Sequence, residues 1–205
     1  MDKSGHVYLV DDDASMRTSL SRMLQELGYN VHDFASAKAF IEDSVPISPA
    51  VILLDMQMPD MTGLDLQEEL AQIGRKTPIV FISGQSHPQQ IVKSLKKGAL
   101  DFLFKPFNLE DLLNSVADAI EFDRRQLKRV SKDIELKRYF ATLTPREKEV
   151  CHLLVQGLLN KDIAVKLGTT DATIKVHKAR VMEKMRADSL QTLVKSYLEA
   201  SLGGV

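Results

Sequence analysis

The stretch HVYLVDDDASMR (6–17) joins a short apolar run to three consecutive aspartates. The apolar run is typical of a buried strand, so the carboxylates crowd together where that strand ends. At about 4 Å, two like unit charges repel by roughly 1 kcal/mol in water and about 4 kcal/mol at an effective dielectric of 20. A purely structural protein has little reason to accept this repulsion. We therefore interpret the end of this strand as a functional site.

The alternation of apolar strand and amphipathic helix that begins here continues through the first 120 residues. The predicted strands are 6–10, 30–34, 50–54, 78–83 and 100–104, and the predicted helices are 14–27, 36–43, 64–73, 88–97 and one from 108 onward. Five βα units predict an α/β, flavodoxin-like, doubly wound sheet of five parallel strands. In such sheets the ligand site lies beyond the carboxyl ends of the strands, which is where the aspartates stand.

The composition leaves room for two compact cores, since 44% of the 205 residues are hydrophobic. The longest apolar runs, AVILL (50–54) and PIVFIS (78–83), are far shorter than the roughly 20 residues of a membrane span. The N-terminus lacks the apolar stretch and cleavage site of a secretory signal. We expect a cytoplasmic protein that does not enter the membrane. Its single cysteine, Cys151, is predicted to be a small core residue.

The charge is divided unevenly along the chain. Residues 1–120 carry 10 Lys and Arg against 17 Asp and Glu, a balance of −7. Residues 121–140 carry 7 against 4 and residues 141–205 carry 10 against 7, which is +3 in each case. An acidic first part and a basic last part indicate different partners for the two. Basic charge indicates nucleic acid only where it lies on a surface that fits a groove.

Residues 121–140 contain no glycine or proline and are rich in charge. We predict that they form a solvated helical linker that continues the fifth helix. Ile120, Leu127 and Ile134 repeat every seven residues, but the positions between them are too polar for a regular coiled coil. Pairing of this helix with a partner chain is the alternative.

Residues 141–205 predict a small all-α domain of four short helices. Thr144, Asn160 and Ser189 are the predicted N-caps of the first, second and fourth helices. The second and third helices are joined by the tight turn LGTTD (167–171), which is typical of a helix-turn-helix. In the third helix, 171–185, Thr173, Lys175, Val176, Lys178 and Arg180 form the face away from the predicted core. Cations beside a small apolar group suit phosphates, guanine edges and the thymine methyl.

Three carboxylates are expected to converge at the carboxyl edge of the sheet. Asp11 and Asp12 follow the first strand, Asp55 follows the third, and these two strands flank the switch point of such a sheet. Oxygen ligands of this kind suit Mg²⁺, with Mn²⁺ as the alternative. Asp13 is predicted to point away into solvent.

Two further side chains are predicted at the same edge. Lys105 follows the fifth strand and Ser83 ends the fourth. A carboxylate nucleophile, a metal ion, a lysine and a hydroxyl together suit an incoming phosphoryl group.

Residues 1–120 resemble the receiver domain of response regulators, whose fold is CheY-like. The motifs that carry this resemblance are VDDD (10–13), LLDMQMPDMTGLDL (53–66), FISG (81–84) and DFLFKPF (101–107). The resemblance implies that Asp55 is the phosphoacceptor. It also implies that Asp12 and the backbone carbonyl of Gln57 join Asp55 on the metal, and that Asp11 supports the metal through water.

The same resemblance assigns the phosphoryl-binding and switch residues. Lys105 is expected to contact the phosphoryl oxygens, and Ser83 and Phe102 to move on phosphorylation. The Lys105–Pro106 bond is expected to be cis. Gln57 and Gln85 flank the site and are expected to tune the phosphate lifetime.

The segment LTPREKEVCHLLVQGLLNKDIAVKLGTTDATIKVHKARVMEKM (143–185) resembles the LuxR-type DNA-binding domain. The resemblance implies that Lys175 and Val176 meet bases, with His177 and Lys178 beside them. It makes Lys161 and Thr170 candidate phosphate contacts. Ala179 stands where some relatives have a lysine that reaches DNA. The last helix is the usual dimer element of such domains.

Together the two parts resemble the FixJ/NarL response regulators. The implied domains are a receiver (1–120), a helical linker (121–140) and a LuxR-type helix-turn-helix domain (141–205). The implied protein is no enzyme beyond Mg²⁺-dependent self-phosphorylation and slow autodephosphorylation. A sensor histidine kinase would phosphorylate Asp55, which would promote a homodimer that binds promoter DNA and works with RNA polymerase.

Two other functions stay open from the sequence. The first is an aspartyl-phosphate enzyme of the haloacid-dehalogenase type, whose signature needs an acid where this chain has Gln57. The second is a DNA-binding protein that does not depend on phosphorylation and whose receiver only dimerises.

Overall fold

The computed structural model describes residues 5–42, 45–84 and 87–200. The chain packs as two compact units, Met1–Leu127 and Lys128–Val205. Gln85, which we expect to tune the phosphate lifetime, lies outside the described residues. No helix within the described ranges is long and apolar enough to cross a membrane.

The first unit is a five-stranded, wholly parallel sheet with the strand order β2-β1-β3-β4-β5. Its strands are β1 (His6–Val10), β2 (Asn30–Phe34), β3 (Ala50–Asp55), β4 (Ile79–Ser83) and β5 (Asp101–Phe104). Its helices are α1 (Ala14–Glu26), α2 (Ala37–Glu42), α3 (Gly63–Gln72), α4 (Pro88–Lys96) and the first part of α5 (Leu109–Ala141). The predicted doubly wound fold is confirmed.

Apolar side chains cover both faces of the sheet, because parallel strands alternate with helices that pack on each side. On one face Phe40, Leu54 and Phe81 lie in a single cluster. On the other, Leu9, Leu53 and other apolar side chains pack with α1 and α5. Strand β3 is buried at every residue, which explains its continuous apolar sequence.

Helix α5 runs without interruption for 33 residues and includes the whole predicted linker. The division between the two compact units falls inside it, after Leu127. The expectation that this segment is solvated is wrong at two positions, since Asp123 and Leu136 are buried. Its exposed apolar side chains include Leu127, Val130 and Ile134.

The second unit contains α6 (Pro145–Val155), α7 (Asn160–Lys166), α8 (Asp171–Lys184) and α9 (Leu190–Glu199) after the end of α5. Thr144 forms a capping box at the start of α6, and Ser189 caps α9 as predicted. The predicted cap at Asn160 is wrong, because the helix already begins there. Cys151 is buried in the core, and burial raises the pKa of its thiol to about 11.

Candidate functional site

The carboxyl ends of β1, β3, β4 and β5 lie along one edge of the sheet, where the register pairs Val10 with Leu54 and Ser83 with Phe104. A pocket of about 250 Å³ opens at this edge. It is lined by Asp11, Asp12, Asp13, Asp55, Gln57, Ser83, Gly84 and Lys105. The sheet thus brings together residues that are almost 100 positions apart in the chain.

Lys105 lies between the two buried carboxylates of this pocket. Its Nζ donates to Asp11 Oδ2 at 2.9 Å and to Asp55 Oδ1 at 2.8 Å. Burial acts to lower the pKa of Lys105, but the hydrogen bonds to Asp55 and Asp11 outweigh it, and the pKa is raised. The repulsion between carboxylates that the sequence indicates is therefore offset by a cation of the chain itself.

Main-chain donors hold the other oxygens of the same carboxylates. Asp55 Oδ2 accepts from the N–H of Gln57 at 2.7 Å, and Asp11 Oδ1 accepts from the N–H of Asp13 at 2.8 Å. Burial raises the pKa of Asp55, against the opposing effects of Lys105 and of the Gln57 N–H. Asp55 is thus fixed at both oxygens and less acidic than an exposed aspartate.

Asp13 is exposed, as predicted, and it has a structural role that was not predicted. Its carboxylate caps α1 by accepting from the N–H groups of Ser15 (2.8 Å) and Met16 (3.1 Å). These two hydrogen bonds are the main reason why the pKa of Asp13 is lowered. The three consecutive aspartates therefore differ in surroundings: Asp11 is buried, Asp12 is exposed, and Asp13 begins a helix.

The donor set of the pocket fits Mg²⁺ in chemistry, because carboxylates and a carbonyl are the hard oxygen ligands that this ion prefers. Asp12 lines the pocket with Asp11 and Asp55. Within the three described ranges, however, no three His, Cys, Asp or Glu side chains are gathered closely enough to hold a metal ion. The predicted metal-binding carboxylates lie at one edge of the sheet, and Lys105 forms ion pairs with two of them, Asp11 and Asp55.

The two predicted switch residues lie in different surroundings. Ser83 is buried and lines the pocket. Phe102 is half-buried and packs between Phe81 and Phe104, with ring centroids 6.1 Å and 5.0 Å away. The Lys105–Pro106 bond is cis, as expected.

Sequence reasoning missed two residues beside this pocket. Arg17 donates from Nη1 to the main-chain oxygen of Asp11 at 2.8 Å, and its Nε lies 3.4 Å from Asp33 Oδ2. Gly63 is the other, since a Cβ there would lie 2.4 Å from the main-chain oxygen of Asp55. An arginine one turn into α1 and a glycine at the start of α3 were the signals in the sequence.

The helix predicted to meet DNA is α8, which packs through one face. Ile174, Val181 and Met185 are buried in the core of the second unit, as predicted. Of the proposed DNA contacts, Lys161, Thr170, Thr173, Lys175, Val176 and Arg180 are exposed and His177 and Lys178 are half-buried.

Two of these residues have partners at the start of α8. The hydroxyl of Thr170 accepts from the N–H of Thr173 at 3.2 Å and so caps the helix. Lys175 Nζ lies 2.8 Å from Asp171 Oδ2. The Nδ1 atom of His177 is buried without a hydrogen-bond partner among the described residues.

Comparison with known proteins gives matches over both units. Residues 7–117 match the response regulator receiver domain family, and residues 141–197 match the bacterial regulatory proteins of the luxR family. The response regulator TmoT of Ectopseudomonas mendocina is 39% identical over 95% of this chain and 88% of its own. FixJ of Azorhizobium caulinodans is 35% identical over 98% of this chain and 96% of its own.

Solved structures agree with these relatives. The response regulator StyR is 36% identical, with a TM-score of 0.83 over 95% of this chain and 98% of that one. Full-length FixJ from B. japonicum is 34% identical, with a TM-score of 0.58 over 97% and 98%. The chain belongs to the FixJ/NarL family of two-component response regulators, in which a receiver domain precedes a LuxR-type DNA-binding domain.

Proposed function

We propose that Asp55 is the phosphoacceptor of this response regulator and that a sensor histidine kinase supplies the phosphoryl group. The observation that carries this proposal is the position of Asp55, buried at the end of β3 with Lys105 Nζ 2.8 Å away. When Asp55 Oδ1 attacks the phosphorus, the bond to the histidine of the kinase breaks and the imidazole leaves. The transferred phosphoryl oxygens then lie beside this ammonium, which donates to them. Ser83 lines the same pocket and offers a hydroxyl to these oxygens.

Asp11, Asp12, Asp55 and the main-chain oxygen of Gln57 would hold Mg²⁺, with Mn²⁺ as the alternative. The ion would neutralise charge on the transferred group. Asp11 is held in place by the N–H of Asp13 and by Lys105. Asp12 is exposed and lines the same pocket.

Phosphorylation would change the packing around the pocket and thereby the DNA-binding part. The phosphoryl group carries about −1.5 to −2 charges at neutral pH, so it competes with Asp11 for Lys105. Ser83 and Phe102 would move in response. We propose that this favours a homodimer that binds promoter DNA in the cytoplasm and works with RNA polymerase.

We propose that residues 1–120 receive the phosphoryl group, 121–140 connect, and 141–205 bind DNA. Thr173, Lys175, Val176 and Arg180 would enter the major groove, with His177 and Lys178 beside them. Lys161 and Thr170 would contact phosphates. Support comes from the exposed positions of α8, which leave Val176 available to a thymine methyl.

The experiment is phosphorylation of the full chain by acetyl phosphate and Mg²⁺, followed by operator binding. Asp55→Asn is expected to abolish both the acid-labile phosphate and the gain in DNA affinity. The matched control is Asp60→Asn, an exposed residue on the same loop, which should leave both unchanged. Persistence of both signals in Asp55→Asn would rule the assignment out, and equal affinity of the unmodified and phosphorylated wild type would favour a regulator independent of phosphorylation.

A further inference from the structure

Asp171 is the first residue of α8 and forms an ion pair with Lys175, one helical turn further on. The distance between Asp171 Oδ2 and Lys175 Nζ is 2.8 Å. The side chains of Asp171 and Lys175 are 34% and 66% exposed, so both reach the surface of the helix. Exposed pairs of this kind add little to stability. Stability alone therefore does not explain this ion pair, and we consider a role in DNA recognition.

The carboxylate of Asp171 is not needed to cap the helix. Thr170 already occupies the cap position, and its hydroxyl accepts from the N–H of Thr173. A negative charge at this place also opposes binding to a polyanion, because affinity for DNA depends on neutralising phosphates. Asp171 is therefore expected to lower the affinity of α8 for DNA. A gain in sequence specificity would explain why an acid stands there.

The ammonium of Lys175 and the carboxylate of Asp171 are complementary to the major-groove edges of guanine and cytosine in a G·C pair. In the major groove, guanine presents the acceptors O6 and N7, to which a lysine donates. Cytosine presents an N4 amino group, from which a carboxylate accepts. Residues in the first turns of a recognition helix are those that contact base edges. Thymine, by contrast, presents the acceptor O4, which a carboxylate disfavours.

We propose that Asp171 is a specificity-determining residue, an inference that rests on the proposed DNA-binding function. Asp171 holds Lys175 extended toward guanine O6 and N7 and accepts a hydrogen bond from cytosine N4. The pair thereby selects G·C over A·T at one position, or at two adjacent positions, of the operator. Without the carboxylate, Lys175 is free to turn to a phosphate, which any sequence offers.

The test is selection of binding sites from a randomised DNA library by the full chain after treatment with acetyl phosphate and Mg²⁺. Asp171→Asn is expected to lower discrimination by about tenfold at one or two adjacent positions and to leave preference elsewhere intact. Asp162→Asn is the matched control, since Asp162 is an exposed acid in the first turn of α7. It should leave the selected sequence unchanged.

If Asp171 only stabilised the helix, Asp171→Asn would change the affinity for all DNA sequences by the same factor. An unchanged base preference in Asp171→Asn, beside a wild type that selects a clear site, would therefore overturn this inference and leave the DNA-binding function standing. A wild type that selects no sequence would instead contradict the proposed function. In a Lys175→Met background, Asp171→Asn is expected to lose the part of its effect that acts through Lys175 and to keep the part that comes from cytosine N4. An effect as large as in the wild-type background would refute the positioning role.

Discussion

Asp123 on α5 accepts a hydrogen bond from the main-chain N–H of Ala50 at 2.9 Å. Ala50 is the first residue of β3, the strand that ends at Asp55. The carboxylate is 7% exposed, so the contact lies in the interior of the first unit. A segment that the sequence presents as a solvated linker is thus anchored to the strand that carries the proposed phosphoacceptor.

Replacing Asp123 by Ala is expected to destabilise the first unit by about 1–3 kcal/mol, because the buried N–H of Ala50 would lose its acceptor. Asp123→Asn keeps an acceptor oxygen and should cost less. The free energy of unfolding from urea titration measures the effect. Asp118→Ala, an exposed position on the same helix, serves as the control. Equal stability of the two alanine variants would mean that the contact contributes nothing.

Replacing Lys105 by Met removes the cation between Asp11 and Asp55. The two carboxylates then lose a donor and repel each other in a partly buried pocket, and we expect a loss of about 1–3 kcal/mol in the free energy of unfolding. Mg²⁺ should restore more stability to this variant than to the wild type, because it would supply the missing positive charge. Thermal unfolding with and without millimolar MgCl₂ measures this. A variant that Mg²⁺ does not stabilise would argue against a metal at these carboxylates.

Replacing Gly63 by Ala should disturb the loop after Asp55. The added Cβ would lie 2.4 Å from the main-chain oxygen of Asp55 and 2.9 Å from the ring of Phe81, so the backbone must shift. We expect about 1–3 kcal/mol of destabilisation, as in other overpacked cores, and slower phosphorylation by acetyl phosphate. Gln72→Ala, at an exposed position of the same helix and outside the pocket, is the control. Similar phosphorylation rates in the two variants would contradict the expectation.

The first unit should also lose stability on mild acidification. His6 Nδ1 and His32 Nε2 lie 3.1 Å apart, a contact that needs one neutral ring as acceptor. Burial, and then the proximity of His32, lowers the pKa of His6 below its usual 6.5. The unfolded chain therefore binds this proton more readily, and the stability that depends on neutral His6 is lost as the pH falls from 6.5 through the folded pKa.

The measurement is the difference in unfolding free energy between wild type and His6→Gln across this range. The difference should shrink as the pH falls. A difference that does not change with pH would exclude His6 as the titrating group. Comparing variants with the wild type also cancels the opposite contribution of Asp55, whose raised pKa favours the folded state in acid.

The fold could be predicted from local patterns because the spacing of apolar residues differs between strands and helices and is visible in each segment. The buried run AVILL became the centre of the sheet, and the glycines after α1, α3 and α4 adopt positive φ at Gly28, Gly74 and Gly98. Parallel topology then places the strand ends, and with them Asp11, Asp55 and Lys105, at one edge.

Contacts between residues far apart in the chain could not be predicted from the sequence. Nothing local to Asp123 indicates Ala50, 73 positions earlier, as its donor. The helix start at Asn160 was misplaced by one residue, because Leu159 occupies the cap without a side-chain hydrogen bond. The two hydrogen bonds from Lys105 to Asp11 and Asp55 depend on the length and rotamer of one lysine, which periodicity does not specify.

The ammonium of Lys105 is a counter-ion that the chain carries for its own acidic pocket. Because it offsets the charge of Asp11 and Asp55 from within, folding of the receiver domain and binding of the proposed metal ion become separable events. A newly synthesised chain can complete this domain before it meets a divalent cation. The proposed signal then acts on a finished structure, in which a new anion has only to draw one lysine away from its present partners.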